Sequence, residues 1–182
     1  MNYLSISRPL ATLLVAAFIT LPVAAQTAEE DLASIYNYVK ISDDLATAGQ
    51  IAYDQIKSLK EAGYEVVVNL AVASEGSNAL EGFLATEAGL TYVQIPVSWQ
   101  EPSLRDLEMF FNVMEMNRDR KVFVHCFANM RASAFTYLYR TLVHNVPESE
   151  ARAGMTKVWD PAELEQWAAL IERARESHET TD

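Results

Sequence analysis

The chain has 182 residues and carries 14 Lys and Arg against 25 Asp and Glu, which gives a formal net charge of −11. Half of its residues are hydrophobic and only 6 are Gly and 6 are Pro, so a disordered, collagen-like or low-complexity chain is excluded. The acidic balance argues against a nucleic-acid partner, because phosphate backbones are bound by clustered Lys and Arg. The one cysteine, Cys126, excludes an internal disulfide bond and a cysteine-rich zinc site.

Residues 1–25 have the pattern of a secretory signal. Arg8 is their only charged residue, and the apolar run from 10 to 21 is shorter than the roughly 20 residues that a membrane-spanning helix needs. Small side chains then stand at 23–25, where signal peptidase cleaves. We therefore predict cleavage after Ala25 and export to the periplasm or out of the cell, with no stable membrane association afterwards. An uncleaved anchor or a buried helix is the alternative.

The rest of the chain predicts a single α/β domain over 26–176, followed by a tail over 177–182. Five strands are predicted, several of them as buried β-branched runs, at 37–41, 45–48, 65–70, 91–95 and 121–125. Helices are predicted between them, from apolar residues at helical spacing, over 51–62, 79–88 and 104–114. Because helices between strands make crossover connections, we expect a mainly parallel central sheet flanked by helices.

Capping residues predict where two helices begin. Ser103 is a suitable N-cap for the helix that follows it, with Asp106 at the third helical position. Asp160 followed by Pro161 predicts the start of the final helix. The buried face of that helix is predicted to consist of Leu164, Trp167, Ala168, Ile171 and Ala174.

The segment from Val122 to Ser133, VFVHCFANMRAS, combines an apolar strand, a short loop and a long apolar helix predicted to begin near Ala132. Ligands of parallel sheets bind beyond the carboxyl ends of the strands, where a helix start directs unpaired N–H groups and a partial positive charge. Arg131 adds a planar set of donors that can bind two phosphate oxygens. The same field favours the thiolate of Cys126 and makes it a candidate nucleophile, although a lone cysteine that ends a strand can also be a core residue.

His-Cys, a short loop and Arg at a helix start resemble the signature of cysteine-based protein phosphatases of the dual-specificity type. Three further segments, NYVKISDDLATAGQ, EAGYEVVVNL and YVQIPVSWQEPS, are similar in order and spacing to the bacterial beta-lactamase hydrolase-like, protein tyrosine phosphatase-like family. The resemblance covers roughly residues 35–145. It implies a dual-specificity-phosphatase-like α/β fold and a phosphatase that needs no metal.

The resemblance also implies roles for individual residues. Cys126 would attack phosphorus in line and form a phosphocysteine, and Arg131 would stabilise the transition state. His125 would support the geometry of the loop and the Cys126 thiolate. The phosphate oxygens would be bound by backbone N–H groups of the loop, at Phe127, Ala128, Asn129, Met130 and Arg131.

Three features of the loop depart from the common phosphatase pattern. Four residues separate Cys126 from Arg131, where most protein tyrosine phosphatases have five; four also occur in the bacterial family named above and in many rhodanese sulfurtransferases. The loop has no Gly, so Asn129 is the residue expected to adopt a positive φ angle if one is needed. Ala132 stands where a hydroxyl is expected, and Ser133 is the candidate to assist departure of the thiolate.

The general acid is the least defined part of the predicted site. Dual-specificity enzymes have an Asp in the loop after the IPV-like strand, where this chain has Ser-Trp-Gln at 98–100. Glu101 and Asp106 are the nearest carboxylates. Asp106 is also explained by its helix cap, and Glu101 by solvation, because spacing alone does not establish hydrogen-bond reach. We predict Glu101 as the acid.

The main functional hypothesis is therefore a cysteine-dependent phosphatase without a cofactor, acting on a phosphorylated small molecule or a phosphoprotein. A rhodanese-like sulfurtransferase with a persulfide on Cys126 is the alternative that the short loop favours. A non-catalytic oxyanion-binding module is the alternative that the missing Asp favours. No metal site is predicted, since the three histidines are dispersed and lack the spacing of metal-binding motifs.

Overall fold

The computed structural model describes residues 23–180, so the predicted signal segment falls largely outside the described residues. Its helices are α1 (Val23–Ala33), α2 (Gln55–Glu61), α3 (Glu81–Glu87), α4 (Leu104–Met116), α5 (Met130–Leu138), α6 (Glu148–Thr156) and α7 (Glu165–Glu179). Its strands are β1 (Val39–Lys40), β2 (Leu45–Ala48), β3 (Val66–Asn69), β4 (Thr91–Gln94) and β5 (Val122–His125). No helix within residues 23–180 is both long enough and apolar enough to cross a membrane.

The five strands form one sheet in the order β1-β2-β5-β3-β4. Only β1 is antiparallel to its neighbour, which confirms the prediction of a mainly parallel sheet in an α/β fold. β5 is central, and its last residue, His125, is in register with Ala48 of β2 and Asn69 of β3. The carboxyl ends of three neighbouring parallel strands therefore meet at the point where the chain continues into Cys126.

Alternation along the strands divides the interior into two apolar layers. Val122 and Val124 pack on the layer that includes residues of α4, α5 and α7. Phe123 packs on the layer that includes residues of α1, α2 and α3. The continuous apolar run of β5 is thus explained by helices on both faces of the sheet. Cys126 belongs to the first layer, whereas His125 follows Phe123 by alternation and lies on the second face.

Local signals at helix ends are confirmed at three positions. The Ser103 hydroxyl accepts a hydrogen bond from the Asp106 N–H at 3.1 Å, as expected of an N-cap. Gly63 and Gly89 follow α2 and α3 with φ angles of +86° and +75°, the left-handed conformation that ends a helix. The helix predicted over 51–62 is shorter than expected, because α2 begins only at Gln55.

The carboxyl-terminal region differs from its prediction in three ways. Asp160 caps only a short 3-10 helix, Pro161–Glu163, and the extended backbone of Leu164 separates it from α7. The predicted buried face is largely confirmed: Trp167 and Ala174 are buried together with Leu170, and Leu164 and Ile171 pack partly buried against the same core. α7 continues to Glu179, past the residue at which the tail was predicted to begin. α6, which the apolar pattern did not indicate, precedes this region.

Candidate active site

The loop between β5 and α5 lies at the carboxyl edge of the central strand. Cys126 follows β5 directly and is 1% exposed. α5 begins at Met130, two residues earlier than predicted, so Arg131 lies inside its first turn rather than before it. The first N–H groups of a helix have no partner within the helix, and they carry its partial positive charge. The nucleophile candidate, the helix start and the cation are therefore adjacent in space.

Carbonyl oxygens of this loop accept hydrogen bonds from neighbouring segments of the same chain. The Phe127 carbonyl accepts a hydrogen bond from the Gln50 N–H at 3.1 Å. The Ala128 carbonyl accepts one from Asn37 Nδ2, also at 3.1 Å. Gly49 pairs with Ala128 as an isolated bridge, and a Cβ atom at Gly49 would lie 2.8 Å from the Tyr36 carbonyl oxygen. This close approach requires glycine beside the loop.

Asn129 supplies the left-handed residue of the loop. Its φ angle is +64°, which confirms the prediction made from the absence of Gly. Its Nδ2 atom donates hydrogen bonds to the Asn37 carbonyl oxygen at 2.7 Å and to Thr47 Oγ1 at 3.0 Å. Since Asn tolerates this conformation better than other residues with a Cβ, the side chain both permits the turn and anchors it to β2.

Arg131 is a buried cation without a carboxylate partner among the described residues. The residue is 7% exposed, and its Nε atom has no hydrogen-bond partner within residues 23–180. The guanidinium carbon lies 5.4 Å from the ring centroid of Trp99 and 5.9 Å from that of Phe127. A buried charge is strongly unfavourable unless it is paired. The arrangement therefore favours binding of an anion at this guanidinium.

Ser133 has a different set of contacts from the one its predicted role requires. Its hydroxyl donates to the Met130 carbonyl oxygen at 3.1 Å and accepts from Trp159 Nε1 at 3.2 Å. The same Nε1 atom lies 3.0 Å from the Met130 carbonyl oxygen. Among the described residues, the Ser133 hydroxyl makes no hydrogen bond to Cys126. Trp159, which sequence analysis did not identify, therefore stabilises the first turn of α5 through these hydrogen bonds.

His125 is tied to a buried carboxylate that sequence reasoning missed. Its Nε2 atom lies 2.7 Å from Glu81 Oε1, and the two side chains are 0% and 1% exposed. Asn69 Nδ2 and the Tyr92 hydroxyl also donate to Oε1, each at 3.0 Å. No local pattern pointed to this role, because an acidic residue in the first turn of a helix is commonly explained by the helix dipole.

The two candidates for the general acid lie on the segment that follows β4. Glu101 is exposed, and its N–H donates to Ser98 Oγ at 3.1 Å. Its side chain lines a surface groove together with Arg173. Asp106 lies in the capped first turn of α4. Trp99 is the residue through which this segment contacts the loop cation, and Glu101 as the acid stays a prediction.

Metal ligands do not cluster anywhere in the part of the chain that the structure describes. No group of three or more His, Cys, Asp or Glu side chains within residues 23–180 has an arrangement that could hold a metal ion.

Comparison with known proteins identifies the fold and the family. Residues 18–172 match the family model described as DSP-PTPase phosphatase fused to NAD+ kinase. A solved DUF442 protein from Shewanella putrefaciens is 37% identical and has a TM-score of 0.74; the match covers 82% of this chain and 97% of that one. No protein with curated annotation matches.

More distant structures show the same fold. Tk-PTP in its active form is 14% identical with a TM-score of 0.65, and the match covers 77% of this chain and 97% of that one. P. aeruginosa TpbA is 16% identical with a TM-score of 0.61, over 75% and 84% of the two chains. The fold is that of dual-specificity-type cysteine phosphatases, as the resemblance implied. This chain therefore belongs to the family of DSP-PTPase phosphatases described as fused to NAD+ kinase.

Proposed function

We propose that this chain is a cysteine-dependent phosphatase that hydrolyses a phosphate monoester through a phosphocysteine on Cys126. The observation that carries the proposal is Arg131, a guanidinium 7% exposed in the first turn of α5, whose Nε atom has no partner among the described residues. An anion bound beside the Cys126 sulfur would satisfy this charge and the first N–H groups of the helix.

The reaction would proceed in two displacements. The Cys126 thiolate attacks phosphorus, an S–P bond forms, and the bond from phosphorus to the leaving oxygen breaks. Glu101 is our candidate to give that oxygen its proton. A water molecule then gives a proton to Glu101 and attacks the phosphocysteine, the S–P bond breaks, and inorganic phosphate and the thiolate are released. Arg131 and the backbone N–H groups of Phe127–Arg131 would hold the phosphoryl oxygens in both steps, which is where electrostatic catalysis of phosphoryl transfer originates.

The substrate class follows from the contrast between local and overall charge. A net charge of −11 repels polyanions, whereas the proposed site offers one cation and one helix start. The attraction would act over a distance comparable to the Debye length of about 8 Å at physiological salt. P. aeruginosa TpbA has been solved with pTyr and PTPMT1 with PI(5)P, both of them phosphate esters. We infer a small or singly phosphorylated ester, free or on a protein.

The test is a panel of phosphate esters offered to the purified protein. We expect hydrolysis of at least one aryl or alkyl phosphate, and loss of turnover in Cys126→Ser. Mass spectrometry of acid-quenched enzyme should show an added phosphoryl group that the Cys126→Ser variant lacks. Turnover retained in that variant, or no hydrolysis of any ester, would overturn the proposal.

A sulfurtransferase is the second candidate, favoured by the four-residue spacing between Cys126 and Arg131. After incubation with thiosulfate, the same mass measurement would then show one added sulfur on Cys126 in place of a phosphoryl group. Tight binding of phosphate in calorimetry without either adduct would indicate an oxyanion-binding module.

We also propose export, based on the pattern of residues 1–25. Amino-terminal sequencing of the native protein from its host should begin at Gln26. A chain that begins at Met1 would contradict cleavage.

A further inference from the structure

Asn37 has a left-handed backbone in the segment between α1 and β1. Its φ angle is +53°, a conformation that is uncommon for residues with a Cβ atom and that persists where the surrounding structure requires it. The Asn37 carbonyl oxygen accepts a hydrogen bond from Asn129 Nδ2 at 2.7 Å. The preceding carbonyl oxygen, of Tyr36, accepts one from the Gly49 N–H, also at 2.7 Å. This turn therefore binds both the loop after β5 and the end of β2.

The order of the strands explains why a residue so early in the chain reaches the loop. β1 is antiparallel to β2, and Val39 of β1 is in register with Thr47 of β2. The beginning of β1 therefore lies beside the end of β2, at the same edge of the sheet as the loop after β5. From there Asn37 Nδ2 donates to the Ala128 carbonyl oxygen at 3.1 Å. Asn37 thus binds the loop with its main chain and with its side chain.

The peptide between Ala128 and Asn129 is held differently from the peptides on either side of it. The Phe127 carbonyl oxygen accepts from a main-chain N–H that precedes α2, and the Asn129 carbonyl oxygen accepts from the Ser133 N–H at 2.8 Å. Those two bonds do not depend on the identity of a side chain. The Ala128 carbonyl oxygen is bound by the side-chain amide of Asn37, so its orientation depends on the residue at position 37.

The direction of this peptide is important for an anion. In a trans peptide the carbonyl and the following N–H point to opposite sides, so the bond from Asn37 to the Ala128 carbonyl directs the Asn129 N–H away from Asn37. β1 and β4 are the two edges of the sheet, and Trp99, which follows β4, contacts the Arg131 guanidinium. Asn37 precedes β1 and therefore contacts the loop from the opposite edge.

We propose that Asn37 is a positioning residue of the anion site that the loop and the Arg131 guanidinium form. By binding the Ala128 carbonyl oxygen, it keeps this partial negative charge turned away from the anion and presents the Asn129 N–H to a phosphoryl oxygen. A left-handed backbone alone would favour Gly at position 37, so the amide donor is what requires Asn. The inference rests on the proposed function in taking the loop as the phosphate site.

Asn37→Gly removes the donor but keeps the left-handed backbone and the carbonyl oxygen that Asn129 uses. We expect the Kd for inorganic phosphate, measured by calorimetry, to rise about tenfold, since a hydrogen bond to a charged group contributes at least that factor. kcat/KM for a phosphate ester should fall at least as much. Both are measured where urea unfolding shows the variant to be folded. A purely structural role would lower only the stability, so an unchanged Kd in the folded variant would overturn the proposal.

Asn145→Gly is the matched control. Asn145 also has a φ angle of +53°, but it is exposed in the segment before α6. We expect neither the Kd for phosphate nor kcat/KM to change in this variant. An equal loss of affinity in both variants would overturn the proposal, because it would then be a general effect of replacing Asn by Gly.

A titration of the unmodified, isotope-labelled protein with inorganic phosphate covers the case in which Asn37→Gly does not fold. We expect the amide resonance of Asn129 to move to lower field together with those of Phe127 and Arg131, as each N–H bonds an oxyanion. Shifts at Phe127 and Arg131 with none at Asn129 would overturn the role of Asn37 and leave the phosphate site standing. No shift at any residue of the loop would overturn the proposed function, and this inference with it.

Discussion

Arg131 stacks against Trp99, with 5.4 Å between the guanidinium carbon and the ring centroid. Trp99 packs in turn against Trp159 and Trp167, at centroid distances of 5.5 and 5.1 Å. Its carbonyl oxygen accepts a hydrogen bond from Trp167 Nε1 at 3.1 Å. All three tryptophans of the chain therefore pack together, and Trp99 is the one that contacts Arg131. Because these rings are rigid and hold one another, the guanidinium is oriented before an anion binds.

Replacing Trp99 should weaken the anion site. In Trp99→Leu the guanidinium loses a cation–π contact, worth about 1–2 kcal/mol at a desolvated position. We expect kcat/KM for a phosphate ester to fall roughly tenfold and the Kd for inorganic phosphate to rise by a similar factor. Steady-state kinetics and calorimetry measure the two effects. Phe83→Leu, at an aromatic residue 63% exposed, is the control, and equal behaviour of the two variants would contradict the prediction.

Arg131→Lys tests whether charge alone is sufficient at the loop. Lysine keeps the positive charge but lacks the planar fork that binds two oxygens at once. We expect kcat/KM to fall about 10²–10³-fold, the usual effect of losing one oriented donor to a developing charge. Arg118→Lys, at a side chain that is 67% exposed, should leave the rate unchanged. A loss below about tenfold in Arg131→Lys would show that orientation of the guanidinium is not required.

Most of the fold could be predicted because its signals are local. The buried strands β3 and β5 are short valine-rich runs, and Gly63 and Gly89 end two of the helices that separate the strands. Leu164 shows where such reasoning fails. The capping residues before it predict one continuous helix. Instead, the extended backbone of Leu164 ends the short 3-10 helix, and α7 begins after it. Leu164 packs against a core built from residues distant in the chain, and no local pattern contains those contacts.

The candidate site could likewise be predicted only where its residues are close together in the chain. Cys126, Asn129 and Arg131 lie within one short segment, so their proximity and the left-handed turn follow from the order of residues. Glu81 lies 44 residues before its partner His125, and Trp159 lies 29 residues after Met130. Contacts of this kind depend on how helices pack across the sheet. An acidic first-turn residue and a loop tryptophan look the same in sequence whether they are solvated or buried.

Asn129 should be sensitive to loss of its side chain, because that side chain anchors the loop to Asn37 and Thr47. Asn129→Gly keeps the left-handed conformation without strain but loses the bonds to Asn37 and Thr47. Asn129→Ala loses the same bonds and also adopts an unfavourable φ angle, at a further cost of about 1 kcal/mol. We expect the free energy of unfolding to fall by roughly 1–3 kcal/mol in the Gly variant, and by more in the Ala variant.

Urea unfolding of both variants measures which of them has the lower free energy of unfolding. Asn145, another residue with a positive φ angle, lies in an exposed turn far along the chain from the loop and provides the comparison through Asn145→Gly. That variant should match or exceed the stability of the unmodified chain. An Ala variant of Asn129 as stable as its Gly variant would contradict the strain argument.

The carboxylate of Glu81 should make stability depend on pH in acid. Its pKa in the folded state lies below the unfolded value of about 4.3, so its contribution is complete above that pH and is lost as the pH falls through the folded pKa. Glu81→Gln should cost about 3–5 kcal/mol at neutral pH, because a buried pair loses one partner. It should then lose less stability than the unmodified chain on acidification below about pH 4.3. Urea unfolding over a pH series compares how steeply the free energy of unfolding depends on pH in the two proteins.

Glu115→Gln, whose carboxylate is 40% exposed, is the control and should show a smaller change of the same sign, since solvent screens this carboxylate. Parallel slopes for Glu81→Gln and the unmodified chain would mean that folding does not lower the pKa of the buried carboxyl group.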